Sequence, residues 1–548
     1  MTITMLAVAL LTLVGTEGHA QPPQLLDPEP GQVFLTPQID LGLQPVSMLV
    51  PARYTLSGIA DRELMLPPGF MVNVFAAGGL LEGPRFMSWD PKGVLHVANM
   101  KAGGGKEFTP PVNSSTPPAV DRMAAQVLAL PDHDGDGVAD EIFVAADRLW
   151  FPNSIQFYEG SLYVADMHQV IRLTDHDSDG YYEGREVVIP NLPIGHHRTR
   201  SIEFDTERKK LYLSIGSSCD LCRESDPRRA TIMEYDPDGS NGRIYASGLR
   251  NAVGTAIHPE TNELWITNNG HDREGVHLPP EMVTPVHDGV FYGWPLVFGF
   301  RSWVDFNISA YEDAIFPITA KDSADVARVP KPAALLPAHL APMDIHFYTG
   351  HLFPPKYKNA AFVALRGGSN AGALGHKVVV LFADPDGKNA RAGDFLTGFQ
   401  PRLSSNSGVW GEPTGLATDS AGALYVSSDW TNHMILRVVA KPPVDTAIRE
   451  QGPNFPYTFD LAQNFPNPFN TGTLISYTLD RASEVELDIY SLTGQRVVRL
   501  VGEFATAGAY EVVWDGLDDA GRNAASGAYL YRLRTGEVSQ VRKLLLLR

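Results

Sequence analysis

A short strand pattern that recurs six times constrains the fold of this chain more than any other feature. Most copies follow an alternating strand and a turn, and most are followed by another alternating strand. The copies are GVLHVANM from Gly93, GSLYVADM from Gly160, KLYLSIG from Lys210, NELWITNN from Asn262, AAFVALRG from Ala360 and GALYVSSD from Gly422. Such repeats at irregular intervals are typical of β-propeller blades, whose longer gaps hold insertions. The sequence therefore predicts an all-β protein with a six-bladed β-propeller over residues 61–440, in which the recurrent strand is the inner strand of each blade.

An array of β-sandwiches is the alternative, but it would not repeat one inner strand. The 50 glycines and 42 prolines agree with many short strands joined by turns. The largest insertion, residues 296–345, carries Trp303, Phe306 and Tyr311. Long ordered insertions on a rigid scaffold often build the mouth of a site, which is the role expected of this one.

The N-terminal end predicts export. The apolar run from Met5 to Val14 is too short to span a bilayer, and residues 1–20 are typical of a signal peptide cleaved after Ala20, with a buried strand as the alternative. Residues 21–60 form a lead segment, and no later run predicts a transmembrane span.

The formal charge of 44 − 63 = −19 argues against a nucleic-acid or anionic-membrane partner.

The C-terminal end predicts a second domain. Residues 441–457 contain prolines without periodicity and indicate a linker, and residues 458–548 contain short alternating strands typical of a small β-sandwich. The segments AQNFPNPFN, SLTGQRV, WDGLDDAGRNAASGAYLYRL and KLLLLR resemble the C-terminal sorting domain of type IX secretion substrates, an Ig-like fold. The resemblance implies the type IX machinery as a partner, passage through the periplasm, and release from the cell or attachment to its surface. An Ig-like module that binds carbohydrate or protein is the alternative.

Polar residues around the third and fourth recurrent strands indicate a site. The chain has no GxSxG, HExxH, P-loop or dinucleotide-binding motif, so hydrolase and nicotinamide-dependent functions lack support. Loops at one end of a propeller converge on its axis, so His197, Arg250, Asn251, Asn269 and Gly270 are expected to share a pocket. A histidine base with arginine and amide donors is what oxidation of an alcohol requires. A purely structural role for each polar residue is the alternative.

The region from Leu66 to the MILRV segment at Met434 resembles the soluble pyrroloquinoline quinone (PQQ)-dependent sugar dehydrogenases, in particular the L-sorbosone dehydrogenase-like branch. The segments HRTR, GSSCDLC, DPRRATIM and SGLRN carry the resemblance. It implies a secreted dehydrogenase that oxidises a sugar, a related alcohol or an aldehyde and passes electrons to an external acceptor. A non-catalytic propeller that binds glycan or protein, and a calcium-dependent lactonase-like hydrolase, are the alternatives.

The same resemblance implies roles for individual residues. His197, and not His196, matches the catalytic base, and Arg250 stabilises the reduced oxygens of the quinone. The implied PQQ-binding residues are Arg250, Asn251, Asn269 and Arg366, and the implied calcium ligands are the backbone carbonyls of Gly270 and His271. Glu412 departs from the pattern because many relatives carry an arginine there, which weakens the expected attraction for a tricarboxylate by ~1 to 3 kcal/mol.

Two aspartate-rich loops and one cysteine pair complete the candidates. The loop DHDSDGYYEGRE has the spacing of a calcium loop, with Asp175, Asp177, Asp179, Glu183 and Glu186 as candidate ligands. Flanking strands make a plain hairpin turn the alternative, and DHDGDGVAD at Asp132 matches calcium-loop spacing less well. Cys219 and Cys222, the two cysteines of an exported chain, predict a disulfide, with redox chemistry as the alternative.

Overall fold

The computed structural model describes residues 38–54, 62–100, 123–368, 375–400, 408–440 and 459–547, together with Pro117 and without positions 466, 471, 520, 521 and 537. The predicted signal peptide, the first part of the predicted lead segment and the predicted linker lie outside the described residues. Within the described ranges, no helix is both long enough and apolar enough to cross a membrane.

Six four-stranded antiparallel sheets form the blades of a β-propeller, which confirms the predicted fold class. The N-terminal strands are β1 (Gln44–Ser47), β2 (Glu63–Leu66) and β3 (Phe70–Ala77). From the axis outwards, the first three blades contain β4 (Pro84–Trp89), β5 (Leu95–Asn99), β6 (Ala125–Leu130) and β7 (Phe143–Leu149); β8 (Ser154–Tyr158), β9 (Ser161–Ala165), β10 (Val170–Thr174) and β11 (Gly184–Ile189); and β12 (Arg200–Asp205), β13 (Lys210–Ile215), β14 (Thr231–Tyr235) and β15 (Arg243–Ser247).

The fourth blade holds the large insertion between its third and fourth strands. The blade contains β16 (Ala252–Ile257), β17 (Leu264–Asn268), β18 (Glu281–Val286) and β21 (Ala334–Leu336), and the insertion contains β19 (Val297–Phe298), β20 (Ser302–Trp303), α1 (Ser309–Ile315) and α2 (Ala320–Val326). The last two blades contain β22 (Pro342–Phe347), β23 (Ala361–Leu365), β24 (Lys377–Phe382) and β25 (Arg391–Leu396), with a 3-10 turn at Pro355–Tyr357, and β26 (Pro413–Thr418), β27 (Leu424–Ser428) and β28 (Met434–Ala440) joined by β3.

The recurrent sequence pattern forms the second strand of each blade, so the prediction that it is the innermost strand is wrong. The strands that surround the axis are the preceding ones, β4, β8, β12, β16, β22 and β26, and each of them packs against the next around the ring. A second strand is hydrogen-bonded on both edges and covered on both faces, and every residue of β5, β23 and β27 is buried. This environment selects a continuous apolar run, which makes the second strand the most repetitive in sequence.

The N-terminal strand β3 closes the ring because it pairs along its length with β28, the last strand of the propeller. An aromatic cluster seals the junction: Phe70 meets Phe353, Phe395 and Tyr357 edge-on, with ring centroids 4.8, 5.1 and 5.6 Å apart. Each buried aromatic ring of this size stabilises the fold by roughly 1.5–3 kcal/mol. Strand β1, which belongs to the predicted lead segment, pairs with β2 beside this closure.

The C-terminal domain is a two-sheet sandwich with its own core, which confirms the predicted Ig-like fold. Its strands are β29 (Asp460–Leu461), β30 (Thr473–Leu479), β31 (Ser483–Ser491), β32 (Arg496–Ala505), β33 (Gly508–Trp514), β34 (Gly527–Thr535) and β35 (Val538–Leu546). The sheet β29-β30-β33 packs against the sheet β32-β31-β34-β35 around Trp514 and Tyr531, both fully buried. Phe465 also packs against the propeller, where its ring lies 4.8 Å from the guanidinium of Arg437.

Candidate active site

The predicted site residues lie at one end of the propeller axis. Antiparallel pairing places the start of each innermost strand beside the end of the second strand. His197 precedes β12, Arg250 and Asn251 precede β16, and Asn269 follows β17. Backbone hydrogen bonds join these loops: the Ser217 N–H donates to the Arg250 carbonyl at 2.7 Å, and the Asn269 N–H donates to the Asn251 carbonyl at 3.0 Å.

His197 lies in surroundings that favour the neutral imidazole. Burial, assisted by the charges of Arg250 and His196, holds the pKa of His197 well below its ordinary value. Its Nδ1 lies 2.9 Å from the Ser217 hydroxyl and 3.0 Å from the Ser217 carbonyl, whereas Nε2 has no hydrogen bond to another described residue. The neighbouring His196 is exposed and meets the His197 ring edge-on at 4.7 Å. Of the two histidines, His197 therefore has the environment of a base.

Arg250 is 4% exposed and carries a full set of acceptors. Its Nε donates to the Asp220 carbonyl at 2.8 Å, and Nη2 bonds to the carboxylates of Asp220 and Asp272 at 2.8 and 3.0 Å. Its Nη1 donates to the Gly270 carbonyl. The guanidinium is thus fixed in place and more than neutralised by two carboxylates.

Two amides and a glycine complete this part of the site. The Oδ1 of Asn269 is buried without a hydrogen-bond partner among the described residues, so it can accept a bond from a ligand. A Cβ at Gly216 would lie 2.5 Å from the Asn251 Oδ1 and 2.7 Å from the His197 Cβ. Only glycine at this position allows the histidine and the amide to approach each other.

The second predicted cation, Arg366, lies in a separate charged cluster after β23. Its Nε bonds to the Asp429 carboxylate at 2.9 and 3.1 Å, and its Nη2 lies 2.7 Å from the Glu412 Oε2. Arg85 also pairs with Asp429, at 2.9 Å. Burial raises the pKa of Glu412, although Arg366 opposes the rise. Two cations and two carboxylates therefore cancel at this position.

Of the two backbone carbonyls predicted to bind calcium, that of Gly270 has a partner in the structure, and the side chain of His271 has one as well. The Gly270 carbonyl accepts from Arg250, and its N–H donates to the buried Glu281 at 2.7 Å. The His271 side chain is 2% exposed, and its Nε2 lies 2.9 Å from the Glu274 carboxylate. Burial raises the pKa of Glu281 to about 7.

The calcium-like loop brings together three of its five predicted ligands. Carboxylate oxygens of Asp175, Asp177 and Glu183 lie within 4.8 Å of one another. Asp179 instead accepts from the Tyr181 N–H at 2.7 Å, and Glu186 lies in β11, where it pairs with Arg172. The first aspartate loop forms a similar group from Asp132, Asp134 and Asp136.

In the structure Cys219 and Cys222 are joined by a disulfide. The loop that they close supports the large insertion: the Tyr311 hydroxyl of α1 donates to the Asp220 carboxylate at 2.9 Å, and Arg223 pairs with Asp322 of α2 at 2.8 Å. The insertion therefore borders the loop that holds Arg250.

A cavity of about 280 Å³ runs along the axis between the innermost strands and contains none of the predicted site residues. Burial raises the pKa values of Glu203 and Asp344 to about 8 and lowers that of His346 to about 4. The carboxyl of Asp344 accepts from the N–H groups of Ile345 and Leu416 at 2.9 and 2.8 Å. These groups tie neighbouring blades together at the axis.

The sequence did not predict four residues whose side chains form hydrogen bonds or ion pairs in the candidate site: Ser217, Asp220, Asp429 and Arg85. Ser217 and Asp220 lie inside the GSSCDLC segment, so their position beside the cysteines was a usable signal. No sequence signal pointed to Asp429 or Arg85, because each forms an ion pair with a residue far away in sequence.

Comparison with known proteins shows relatives of the propeller. An uncharacterized protein of Borreliella burgdorferi is 26% identical over 382 residues, which cover 67% of this chain and 89% of that protein. A pyrroloquinoline quinone-dependent sugar dehydrogenase of Hypocrea jecorina is 23% identical over 355 residues, covering 56% of this chain and 79% of the enzyme. The holo form of the pyranose dehydrogenase PQQ domain from Coprinopsis cinerea superposes with a TM-score of 0.55 at 20% identity, covering 71% of this chain and all of that domain. The propeller is thus distantly related to those of PQQ-dependent sugar dehydrogenases.

Two families match the chain. The FlgD Ig-like domain matches residues 469–536, within the C-terminal sandwich. The family described as "Domain of unknown function (DUF7133)" matches residues 59–451, the whole propeller. Since this second match spans most of the chain, the protein belongs to the DUF7133 family.

Proposed function

We propose that the propeller is a PQQ-dependent dehydrogenase that oxidises a sugar, a related alcohol or an aldehyde hydrate. The observation that carries the proposal is the placement of His197 beside Arg250: Ser217 engages its Nδ1, and no other described residue engages its Nε2. Burial, which holds the pKa of His197 below its ordinary value, favours the unprotonated ring. A general base must be unprotonated at working pH and within reach of a substrate hydroxyl.

The residues at this end of the axis fit the quinone. The unpartnered Oδ1 of Asn269 and the side chain of Asn251 supply polar contacts, and Arg250 supplies a fixed positive charge. Arg366 would face the cofactor carboxylates, with Glu412 reducing its attraction. Bound at these residues, PQQ would supply the electron acceptor for oxidation of the substrate carbon.

The chain's own residues perform the proton step. His197 Nε2 takes the proton of the substrate hydroxyl, which strengthens the tendency of the carbon to lose hydride. Arg250 would stabilise negative charge on a bound acceptor, because its guanidinium is held in place by Asp220.

Calcium is part of the same proposal. The backbone carbonyls of Gly270 and His271 are oxygen ligands of the kind that this cation prefers, and Asp272 provides negative charge close by. The Gly270 carbonyl already accepts from Arg250, and its second lone pair would be the one offered to calcium. A second calcium ion at Asp175, Asp177 and Glu183 remains a prediction.

We further propose that the protein is exported, with the C-terminal sandwich as a sorting domain recognised by the type IX machinery. The match of this sandwich to the FlgD Ig-like domain supports an Ig-like module of the expected size. Secretion to the medium or attachment at the cell surface follows from the proposal.

The test is reduction of an artificial electron acceptor by the full chain with PQQ, calcium and a panel of sugars and alcohols. His197→Ala is expected to lower turnover at least a hundredfold with nearly unchanged PQQ affinity, and His196→Ala, the matched control, is expected to be mild. No dye reduction with any substrate, together with no PQQ binding, favours the non-catalytic propeller. Hydrolysis of a lactone without dye reduction favours the lactonase alternative.

A further inference from the structure

The hydrogen-bond partners of His197 determine which ring nitrogen carries its proton. The Ser217 hydroxyl donates its single hydrogen to the Cys219 carbonyl at 2.6 Å. The Ser217 Oγ can therefore only accept from His197 Nδ1 at 2.9 Å, and the Ser217 carbonyl, at 3.0 Å, is likewise an acceptor. Because both partners are acceptors, Nδ1 must carry the proton and Nε2 keeps the lone pair.

The opposite arrangement would disable the base. If the Ser217 hydroxyl turned towards His197, it would donate to Nδ1, and the proton would move to Nε2. The Cys219 carbonyl prevents this rotation because it takes the hydroxyl hydrogen. The position of that carbonyl is fixed by the loop closed through Cys219 and Cys222, in which the intervening Leu221 is 5% exposed and packs into the core of the insertion.

We propose that Ser217 and the disulfide loop are a positioning element that holds His197 as the Nδ1–H tautomer and leaves Nε2 as the basic nitrogen. Ser217 is itself fully buried, so water does not compete for its hydroxyl. The tautomer assignment stands on the hydrogen bonds alone; its catalytic consequence rests on the proposed dehydrogenase function.

Long-range ¹H–¹⁵N correlation spectra of the full chain, labelled in its histidine rings and free of cofactor and substrate, test the assignment. His197→Gln identifies the signals, and wild type is expected to show a protonated Nδ1. The double variant Cys219→Ala/Cys222→Ala, which frees the Ser217 hydroxyl to donate to Nδ1, is expected to add a signal from the Nε2–H form. Ser217→Ala removes one of the two acceptors of Nδ1 and keeps the backbone carbonyl of residue 217, so it is expected to add a weaker signal from that form. A wild-type ring protonated on Nε2 would overturn the proposal.

Kinetics with PQQ and calcium separate positioning from folding. Ser217→Ala is expected to lower kcat about tenfold with KM changed less than twofold, and Ser217→Thr, which keeps the hydroxyl, is expected to recover kcat to within threefold of wild type. Ser218→Ala is the matched control, since this neighbouring hydroxyl bonds to Glu224 at 2.7 Å, and it is expected to match wild type. If Ser217→Ala has the same kcat as wild type and the same His197 tautomer, the proposal is contradicted. No turnover in wild type contradicts the proposed function and leaves the spectroscopic result standing.

Discussion

Replacing Glu412 with glutamine is expected to tighten PQQ binding about tenfold. Glu412 lies 2.7 Å from Arg366, a cation that would otherwise attract the carboxylates of the cofactor. At an effective dielectric constant of about 20, one unit charge at roughly 5–10 Å changes the energy by about 2–3 kcal/mol. Because Asp429 still pairs with Arg366 after the substitution, we expect about half of this, or ~1.4 kcal/mol, to appear in the binding free energy.

The effect should depend on pH in wild type and not in the variant. Burial raises the pKa of Glu412, so lowering the pH protonates this carboxyl earlier than an exposed glutamate. Wild-type affinity for PQQ is therefore expected to rise as the pH falls and to approach that of Glu412→Gln. Glu412→Arg should tighten binding by ~1 to 3 kcal/mol, but it places a third guanidinium beside Arg366 and Arg85 and should lower the free energy of unfolding without ligand.

Quenching of tryptophan fluorescence on titration with PQQ, at fixed calcium, measures these affinities. The control is Glu203→Gln, which removes another half-buried carboxyl, one that lines the axial cavity away from the candidate residues. Unchanged or weaker PQQ binding in Glu412→Gln, with the control equal to wild type, would refute the claim that Glu412 opposes the cofactor.

Four further predictions concern stability and processing. Because burial raises the pKa of Glu203 to about 8, ionisation of this carboxyl is disfavoured in the folded protein, and the free energy of unfolding falls as the pH rises from about 4.5 towards 8. Glu203→Gln should remove about 3–4 kcal/mol of this loss, measured by urea unfolding at pH 5 and 8. Asp220→Asn should lower the free energy of unfolding by ~1–3 kcal/mol and weaken PQQ binding, because it removes a carboxylate that holds Arg250. Equal melting temperatures of the variant and wild type would contradict this prediction. Deleting residues 458–548 should leave a folded propeller that stays in the periplasm, and unchanged export on fractionation would favour the binding-module alternative. Intact mass should rise by two hydrogens on reduction of Cys219 and Cys222, and free thiols in freshly exported protein would favour redox chemistry.

The blades could be predicted from the sequence because one strand in each is buried on all sides. That environment leaves an apolar run, such as LHVAN in β5 or LYVSS in β27, that is visible without a structure. The innermost strands were harder to recognise because they line the axis with polar residues such as Gln156 and Glu203, so their patterns differ from blade to blade. For this reason the sequence predicted the second strand of each blade to be the innermost one.

The candidate site could be predicted only in part. The resemblance pointed to His197 and Arg250, whose loops the propeller brings together at one end. The charge state of the site depends on pairs such as Arg366 with Asp429, which are 63 residues apart, and no local pattern encodes such a pairing. The sequence therefore predicted the cations without predicting that carboxylates balance them.

The two charged clusters at this end of the axis, around Arg250 and around Arg366, respond differently to pH. Burial opposes ionisation of Asp220, yet Arg250, the Tyr311 hydroxyl and a backbone N–H together hold the pKa of Asp220 below its ordinary value. The cluster around Arg250 therefore keeps its carboxylate, and its arginine stays fixed, throughout the range in which Glu412 gains a proton. Protonation of Glu412 then leaves a net positive charge around Arg366 only. An anionic cofactor is thus expected to gain attraction at one side of the site, while the arginine beside the base keeps its position.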